Sequence, residues 1–302
     1  MGTPDFAVPV LKSINESNHK ILEVYTQPPK KKNRGQKITL TPVHKFAKNL
    51  KLSVKHPDIL DNKEEYEYIK NLNPDIVVVV AYGKILPKEL ISLPNIKFLN
   101  IHASLLPKWR GAAPIQRAIM NLDNETGISI MKIVSKLDAG PVMMKAKIKI
   151  TKDTTNEKLS EEMSNLGSKL ILDSLNLIEK GDEKFVDQNE SKATYAKKIG
   201  KLEAKISWNT DAKVIVAKIN ALNPNPGPWF ELNGSRIKII KAIEIKAKGF
   251  PGEILNKNFT IACSENAVQI LELKKEGKNT TTAFEFLKGN KLEVGSNISN
   301  NV

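Results

Sequence analysis

The segment Asp75-Ile-Val-Val-Val-Val80 constrains the fold more than any other stretch of the chain. It is apolar without the alternation of a strand that faces water on one side. Four consecutive valines, stiff at χ1, suit a strand buried on both faces, as in a parallel sheet covered by helices. Residues 21–26 and 96–101 read as companion strands, and helical patterns fall at about 6–15, 42–50, 62–71 and 114–121. Strand–helix alternation of this kind predicts an α/β fold with a doubly wound, mostly parallel sheet. Ligands of such sheets sit beyond the carboxyl ends of the strands. Asn100 and His102 lie at one such end, where chemistry is expected.

Two more strands are expected at 127–134 and 141–150, with Asp138-Ala-Gly140 in the turn between them. A long helix follows at about 155–180, with Thr154, Thr155 and Asn156 as cap candidates. Polar text near 181–200 reads as a linker. Beyond residue 205, short strand-like pieces (236–240, 259–263, 268–273) alternate with Gly, Pro and Asn turns, a pattern that suits a small OB-like β-barrel. The expected division is 1–182, a linker at 183–204, and 205–302. Doubly wound sheets open with a strand, yet Met1-Gly-Thr-Pro-Asp-Phe6 already reads as the loop after one. Either the fold lacks that strand or the sequence begins at an internal methionine, and the second is the expectation.

The formal charge is +14 and the pI about 9.5. A polyanionic partner would explain that balance, and so would a Lys-, Asn- and Ile-rich genome. Cys263 is the single cysteine, which excludes an internal disulfide and suits a reducing compartment. No apolar run approaches the length of a membrane span, and no signal peptide is visible. The expectation is a cytoplasmic monomer that needs no metal.

Asn100, His102 and Asp138 together could move an acyl group. An Asn amide can donate to the oxyanion of a tetrahedral carbon, and an imidazole can exchange a proton with an amine. A neighbouring carboxylate fixes the imidazole tautomer. Residues i and i+2 of a strand share a face, so Asn100 and His102 converge. Spacing alone leaves a plainer reading open, in which a His caps backbone at a strand end beside a solvated Asp. A serine hydrolase built on Ser104 lacks a Gly-x-Ser-x-Gly elbow, and a dehydrogenase lacks Gly-x-Gly-x-x-Gly.

The full text Asn100-Ile-His-Ala-Ser-Leu-Leu-Pro-Lys-Trp-Arg-Gly-Ala-Ala-Pro-Ile-Gln116 resembles the signature of folate-dependent formyltransferases, and its Trp109-Arg-Gly form is similar to the methionyl-tRNA branch. Sugar-nucleotide relatives tend to carry Tyr-Arg-Gly there. The likeness runs along nearly the whole chain, through Gly2-Thr-Pro-Asp-Phe6, Val78-Val-Val-Ala-Tyr-Gly-Lys-Ile-Leu-Pro87, Leu137-Asp-Ala-Gly-Pro-Val142, Ala193-Thr-Tyr-Ala196 and Ile219-Asn-Ala-Leu-Asn-Pro224. Family members usually carry a short strand before Met-Gly-Thr-Pro. The resemblance implies a Rossmann-like domain and transfer of a formyl group from 10-formyltetrahydrofolate, as co-substrate, to the methionine amine of initiator Met-tRNA. By position, Asn100 would stabilise the oxyanion, His102 would move protons, and Asp138 would position His102. Ser104, Leu105, Leu106 and Pro107 match the segment lining the folate site. Tyr82, Gly83 and Ile85 lie in the loop whose backbone would recognise the pterin-like ring.

Pro28-Pro-Lys-Lys-Lys-Asn-Arg-Gly-Gln-Lys37 holds five cations in ten residues. A charge run of this kind is ordinarily a solvated face. It also resembles the family's basic insertion loop, which implies tRNA contact by Lys30, Lys31, Lys32, Arg34 and Lys37. Asn33 and Gln36 depart from the commoner Gly-Arg-Gly-Lys-Lys, whereas Arg34 keeps the matching position. The stretch 205–302 adds fourteen lysines and arginines against nine acids, a moderate positive bias for a second RNA-facing surface. Trp208 and Trp229 read as barrel core, and Cys263 as an inert small hydrophobe.

Overall fold

A computed structural model describes residues 1–32, 37–290 and 292–298. Clustering of contacts divides the chain into two compact units. The first comprises Met1–Pro114, Thr126–Ile148 and Ser160–Ala196, and the second Ile115–Glu125, Lys149–Leu159 and Lys197–Val302.

In the first unit, chain order runs α1 (Val8–Asn15), β1 (Val24–Tyr25), β2 (Lys30–Lys32), β3 (Lys37–Thr39), α2 (Pro42–Asn49), β4 (Val54–Lys55), α3 (Lys63–Leu72), β5 (Ile76–Val79), α4 (Lys88–Ile91), β6 (Lys97–His102) and β7 (Arg110–Gly111). Then come α5 (Pro114–Met120), β8 (Glu125–Lys132), β9 (Val142–Lys149), α6 (Asn156–Lys180) and β10 (Tyr195–Ala196), with α5, β8, β9 and α6 running past the unit's limits. Helix starts follow local chemistry. Thr41 Oγ1 accepts from His44 N at 3.1 Å ahead of Pro42, and Asn62 Oδ1 accepts from Glu65 N at 2.8 Å. Asn73 ends α3 in the left-handed region, at φ +46°.

The valine run forms β5, and its register with β6 is parallel, Val77 opposite Phe98 and Val79 opposite Asn100. Strands β1 and β4 are also parallel. The expectation of a mostly parallel sheet needs one correction, because β8 runs antiparallel to β6. Strand β9 then lies beside β8 in the reversed sense, with Gly127 facing Ala146 and Gly140 facing Lys132. The short turn at 133–141 sets the sense of β9 on β8, since parallel neighbours need a crossover of a dozen residues or more. The result is a mixed α/β unit with a parallel part. Helix α6 covers it closely at Gly167, where an added Cβ would stand 3.1 Å from Ile101 Cγ2.

Met1 and Gly2 lie between β1 and β5. Gly2 N donates to Tyr25 O at 2.8 Å, Val80 N to Met1 O at 2.9 Å, and the Met1 amine to Val78 O at 2.7 Å. Gly2 and Val80 pair in the parallel sense, as a central strand would. Past Met1 a groove of about 560 Å³ continues along residues 19–25 and 72–78.

The second unit adds α7 (Ala212–Leu222), β11 (Trp229–Leu232), β12 (Ser235–Ile245), β13 (Ile254–Asn256), β14 (Thr260–Ala262), β15 (Ala267–Lys275), β16 (Thr281–Thr282) and α8 (Ala283–Gly289). Its sheet runs β11-β12-β15-β14-β13, antiparallel throughout, with β16 on β15. Among the described residues no ladder joins β13 back to β11. The core holds Ile215, Ile219, Phe230, Phe259 and Phe286, with Trp208 edge-on to Phe230 at 5.7 Å. Trp208 and Trp229 are buried, as the sequence suggested.

Candidate active site

Strand β6 delivers Asn100 and His102 to one face, and the turn after β8 delivers Asp138. Asp138 stands in the left-handed region at φ +46°, a conformation that costs a residue with a Cβ unless its surroundings hold it. Its Oδ2 accepts from Gly111 N at 2.8 Å, and its Oδ1 from Asn100 Nδ2 at 3.5 Å. The same Oδ2 lies 3.7 Å from His102 Nδ1. The three residues picked from the sequence therefore meet.

The opposite ring nitrogen, His102 Nε2, lies 2.9 Å from the carbonyl oxygen of Trp109. A carbonyl only accepts, so Nε2 carries the hydrogen and donates. The neutral ring then keeps its lone pair on Nδ1. A proton taken there would give an imidazolium held between a carbonyl and a carboxylate. Trp109 offers that carbonyl from a left-handed conformation, φ +64°, and Gly111 follows at φ +118°. Any Cβ at Gly111 would also stand 2.8 Å from Ala196 O, so glycine is required.

Residues 183–196, read from sequence as the first part of a linker, brace this loop. Thr194 Oγ1 accepts from Trp109 N at 2.9 Å, Thr194 O accepts from Arg110 N at 2.8 Å, and β10 pairs in parallel with β7. Arg110 is fully buried and reaches Gln188 and Glu190. The Arg110 guanidinium, and then the Lys136 ammonium, hold the Glu190 carboxyl down at about 2. Arg110 thus braces the loop from within. Nothing in the spacing of Gln188, Glu190 and Thr194 distinguishes them from loop polarity, and sequence reasoning missed all three.

The expected folate residues divide. Ser104 and Leu106 are buried: Ser104 Oγ donates to Lys108 O at 2.5 Å, and Leu106 packs with Met131 and Val142. Leu105 and Pro107 are half-buried, so they carry what side-chain surface this segment offers. The Leu106–Pro107 bond is cis, and Lys145 Nζ donates to Leu106 O at 2.5 Å. Tyr82 sends its ring into the core beside Tyr25, Leu60 and Ile69, leaving its backbone to the loop. Its carbonyl accepts from Thr3 Oγ1 and Gln27 Nε2, and Gln27 also donates to Gly83 O. Gly83 is left-handed at φ +79°, and Ile85 is 91% exposed. Asn100, His102 and Asp138 do not line the groove beside Met1.

For the basic loop, β2 and β3 form an antiparallel ladder in which Lys30 faces Thr39 and Lys32 faces Lys37. Lys30 is exposed and donates to Gln27 Oε1 at 3.1 Å. Lys31, Lys32 and Lys37 are placed by backbone alone. Arg34 lies outside the described residues.

Residues 1–175 match the family model described as formyl transferase, and residues 198–291 the one described as formyl transferase, C-terminal domain. The methionyl-tRNA formyltransferase of Pelagibacter ubique is 48% identical, over 99% of this chain and 97% of that protein. The one from Paramagnetospirillum magneticum is 41% identical, over 98% of this chain and 97% of that protein. Among solved structures, the N-formyltransferase from Helicobacter canadensis, in complex with folinic acid and dTDP-3-aminofucose, superimposes with a TM-score of 0.67 at 20% identity. That match covers 89% of this chain and 97% of that one, and speaks for the fold alone. With both domain models matched and full-length relatives at these identities, the chain belongs to the methionyl-tRNA formyltransferase family.

Proposed function

We propose that this enzyme transfers a formyl group from 10-formyltetrahydrofolate to the α-amine of methionine on initiator Met-tRNA, for translation initiation. The observation that carries the chemistry is the meeting of Asn100, His102 and Asp138 at the end of β6. The folate co-substrate supplies an activated formyl carbon. His102 takes a proton from the attacking amine at Nδ1 and returns one to the departing nitrogen. The Asn100 carboxamide has two N–H groups, and only one is directed at Asp138, so the second is available to the developing oxyanion. Asp138 stabilises the imidazolium.

The loop with Tyr82, Gly83 and Ile85, together with Ser104, Leu105, Leu106 and Pro107, would hold the folate ring. Exposed Ile85 and half-buried Leu105 and Pro107 suit an aromatic face. The loop of Lys30, Lys31, Lys32, Arg34 and Lys37 would grip the acceptor end. A C-terminal domain from residue 205, read as an OB-like barrel, would track the RNA backbone with its surplus of cations. The working form is a cytoplasmic monomer.

Purified protein given 10-formyltetrahydrofolate and Met-charged initiator tRNA should yield formyl-Met-tRNA, and a dTDP-amino sugar offered instead should stay unformylated. Formylation of the sugar but not the tRNA would overturn the reading.

A further inference from the structure

Asp138 is held on two sides. Its carboxylate is fixed by Gly111 N, as described above, while its own carbonyl is gripped from behind by Gln188. Gln188 Nε2 donates to Asp138 O at 2.8 Å and to Gly140 O at 2.7 Å. Its Oε1 accepts from Arg110 Nε at 3.0 Å and from Arg110 Nη2 at 2.9 Å. Both N–H groups and the carbonyl of one carboxamide are therefore engaged. Arg110 in turn donates to Glu190 from Nη1 at 3.1 Å and from Nη2 at 2.8 Å. The two carbonyls flank Ala139, the first of them belongs to Asp138 at φ +46°, and two donors on one rigid amide fix the spacing of those carbonyls.

We infer that Gln188 is a positioning residue for formyl transfer: its carboxamide clamps the 138–140 turn and so aims the Asp138 carboxylate at His102. Arg110 fixes the rotation of that carboxamide, and with Gly111 it makes residues 110–111 the anchor of the turn through both side chain and main chain. The inference rests on the roles proposed above for Asp138 and His102. Misplacement of a catalytic pair by a fraction of an ångström lowers turnover more than binding, because the folate and tRNA surfaces stay in place.

Gln188→Glu separates positioning from bracing. A carboxylate keeps the acceptor for Arg110 and strengthens that pair, but it has nothing to donate to the carbonyls of Asp138 and Gly140. A residue that only braces Arg110 would tolerate it. Positioning predicts that kcat for formyl transfer falls about 10- to 100-fold, with KM for folate and Met-tRNA nearly unchanged and a displaced pH profile of kcat. Gln188→Met, which keeps volume, should lose kcat similarly. Wild-type kcat and pH profile in either folded variant overturns the inference. Should neither fold, Glu190→Gln decides at the half-exposed outer end of the chain, where a several-fold lower kcat supports the inference and an unchanged kcat and profile overturns it. His102→Ala, run alongside, keeps the two ideas apart. If it retains full activity the active-site reading fails, whereas an inactive His102→Ala beside a fully active Gln188→Glu removes Gln188 alone.

Discussion

In protein prepared to begin at Met1, acetylating the amine of that residue should change how stability depends on pH. The amine lies between two strands, donating to Val78 O at 2.7 Å, and burial lowers its pKa from 8.0 to about 5. A folded chain therefore binds fewer protons there than an unfolded one between those two values, and stability rises with pH across that window. At 1.36 kcal/mol per pH unit, the cost of folding with this amine is ~0 above pH 8, ~1.4 kcal/mol at pH 7 and ~4 kcal/mol below pH 5. The figure is a ceiling, because Met1 as a whole is half-buried and the adjoining groove admits water. An N-acetyl group removes the titration but keeps an N–H to donate to Val78 O. Urea unfolding of the free and acetylated chains, both with Met1 retained by mass, should give curves that coincide near pH 8.5 and diverge as pH falls to 5, the acetylated form being the more stable. Parallel curves, or a gap that closes toward low pH, would refute this account of the terminus.

Three further outcomes are expected. Phe259→Ala removes a fully buried ring that contacts both Phe230 and Phe286, and should cost about 3–5 kcal/mol in urea unfolding of the second unit; a loss below about 1 kcal/mol would mean the cavity collapses freely. The Cys263 thiol is pushed up to about 12 by burial, so Ellman's reagent at pH 8 should leave it unmodified in native protein and react within minutes in urea. Arg34→Ala should weaken Met-tRNA binding, with a shallower dependence on salt by about one counterion, while folate binding stays constant. Equal salt slopes for the two proteins would take Arg34 out of the RNA contact.

The parts of the fold that were legible in sequence are those where one periodicity dominates. The valine run was legible as an apolar parallel strand, although Ile76, Val77 and Val78 are only partly buried, and Thr155, read as a cap candidate, accepts from Lys158 N at 3.4 Å at the start of α6. Helix α7 was not legible. Its Val214-Ile-Val216 stretch is β-branched and weakens the helical signal, and what wins is burial of Ile215, Ile219 and Leu222 together with the Asp211 cap on Lys213 N. The reversed sense of β8 depended on pairing that no local pattern encodes. At the site, Asn100 and His102 were readable from strand alternation, whereas Asp138 could be placed in a turn but gained its role by the family likeness, since its left-handed backbone leaves no trace in its residue type. Tyr82 shows the limit of carrying a motif residue by residue: its position lies in the expected loop, but its ring belongs to the core. Gln188 was hidden because a carboxamide that satisfies a turn looks, in sequence, like any polar loop residue.

Single-turnover formyl transfer to Met-tRNA under saturating 10-formyltetrahydrofolate tests most directly whether the Asn100–His102–Asp138 centre performs the reaction. The wild-type enzyme should form formyl-Met-tRNA. Asn100→Ala should do so about 100- to 1000-fold more slowly, and His102→Ala about 100- to 10,000-fold more slowly, with folate binding intact in both. Wild-type rates in both variants would contradict the account at its centre.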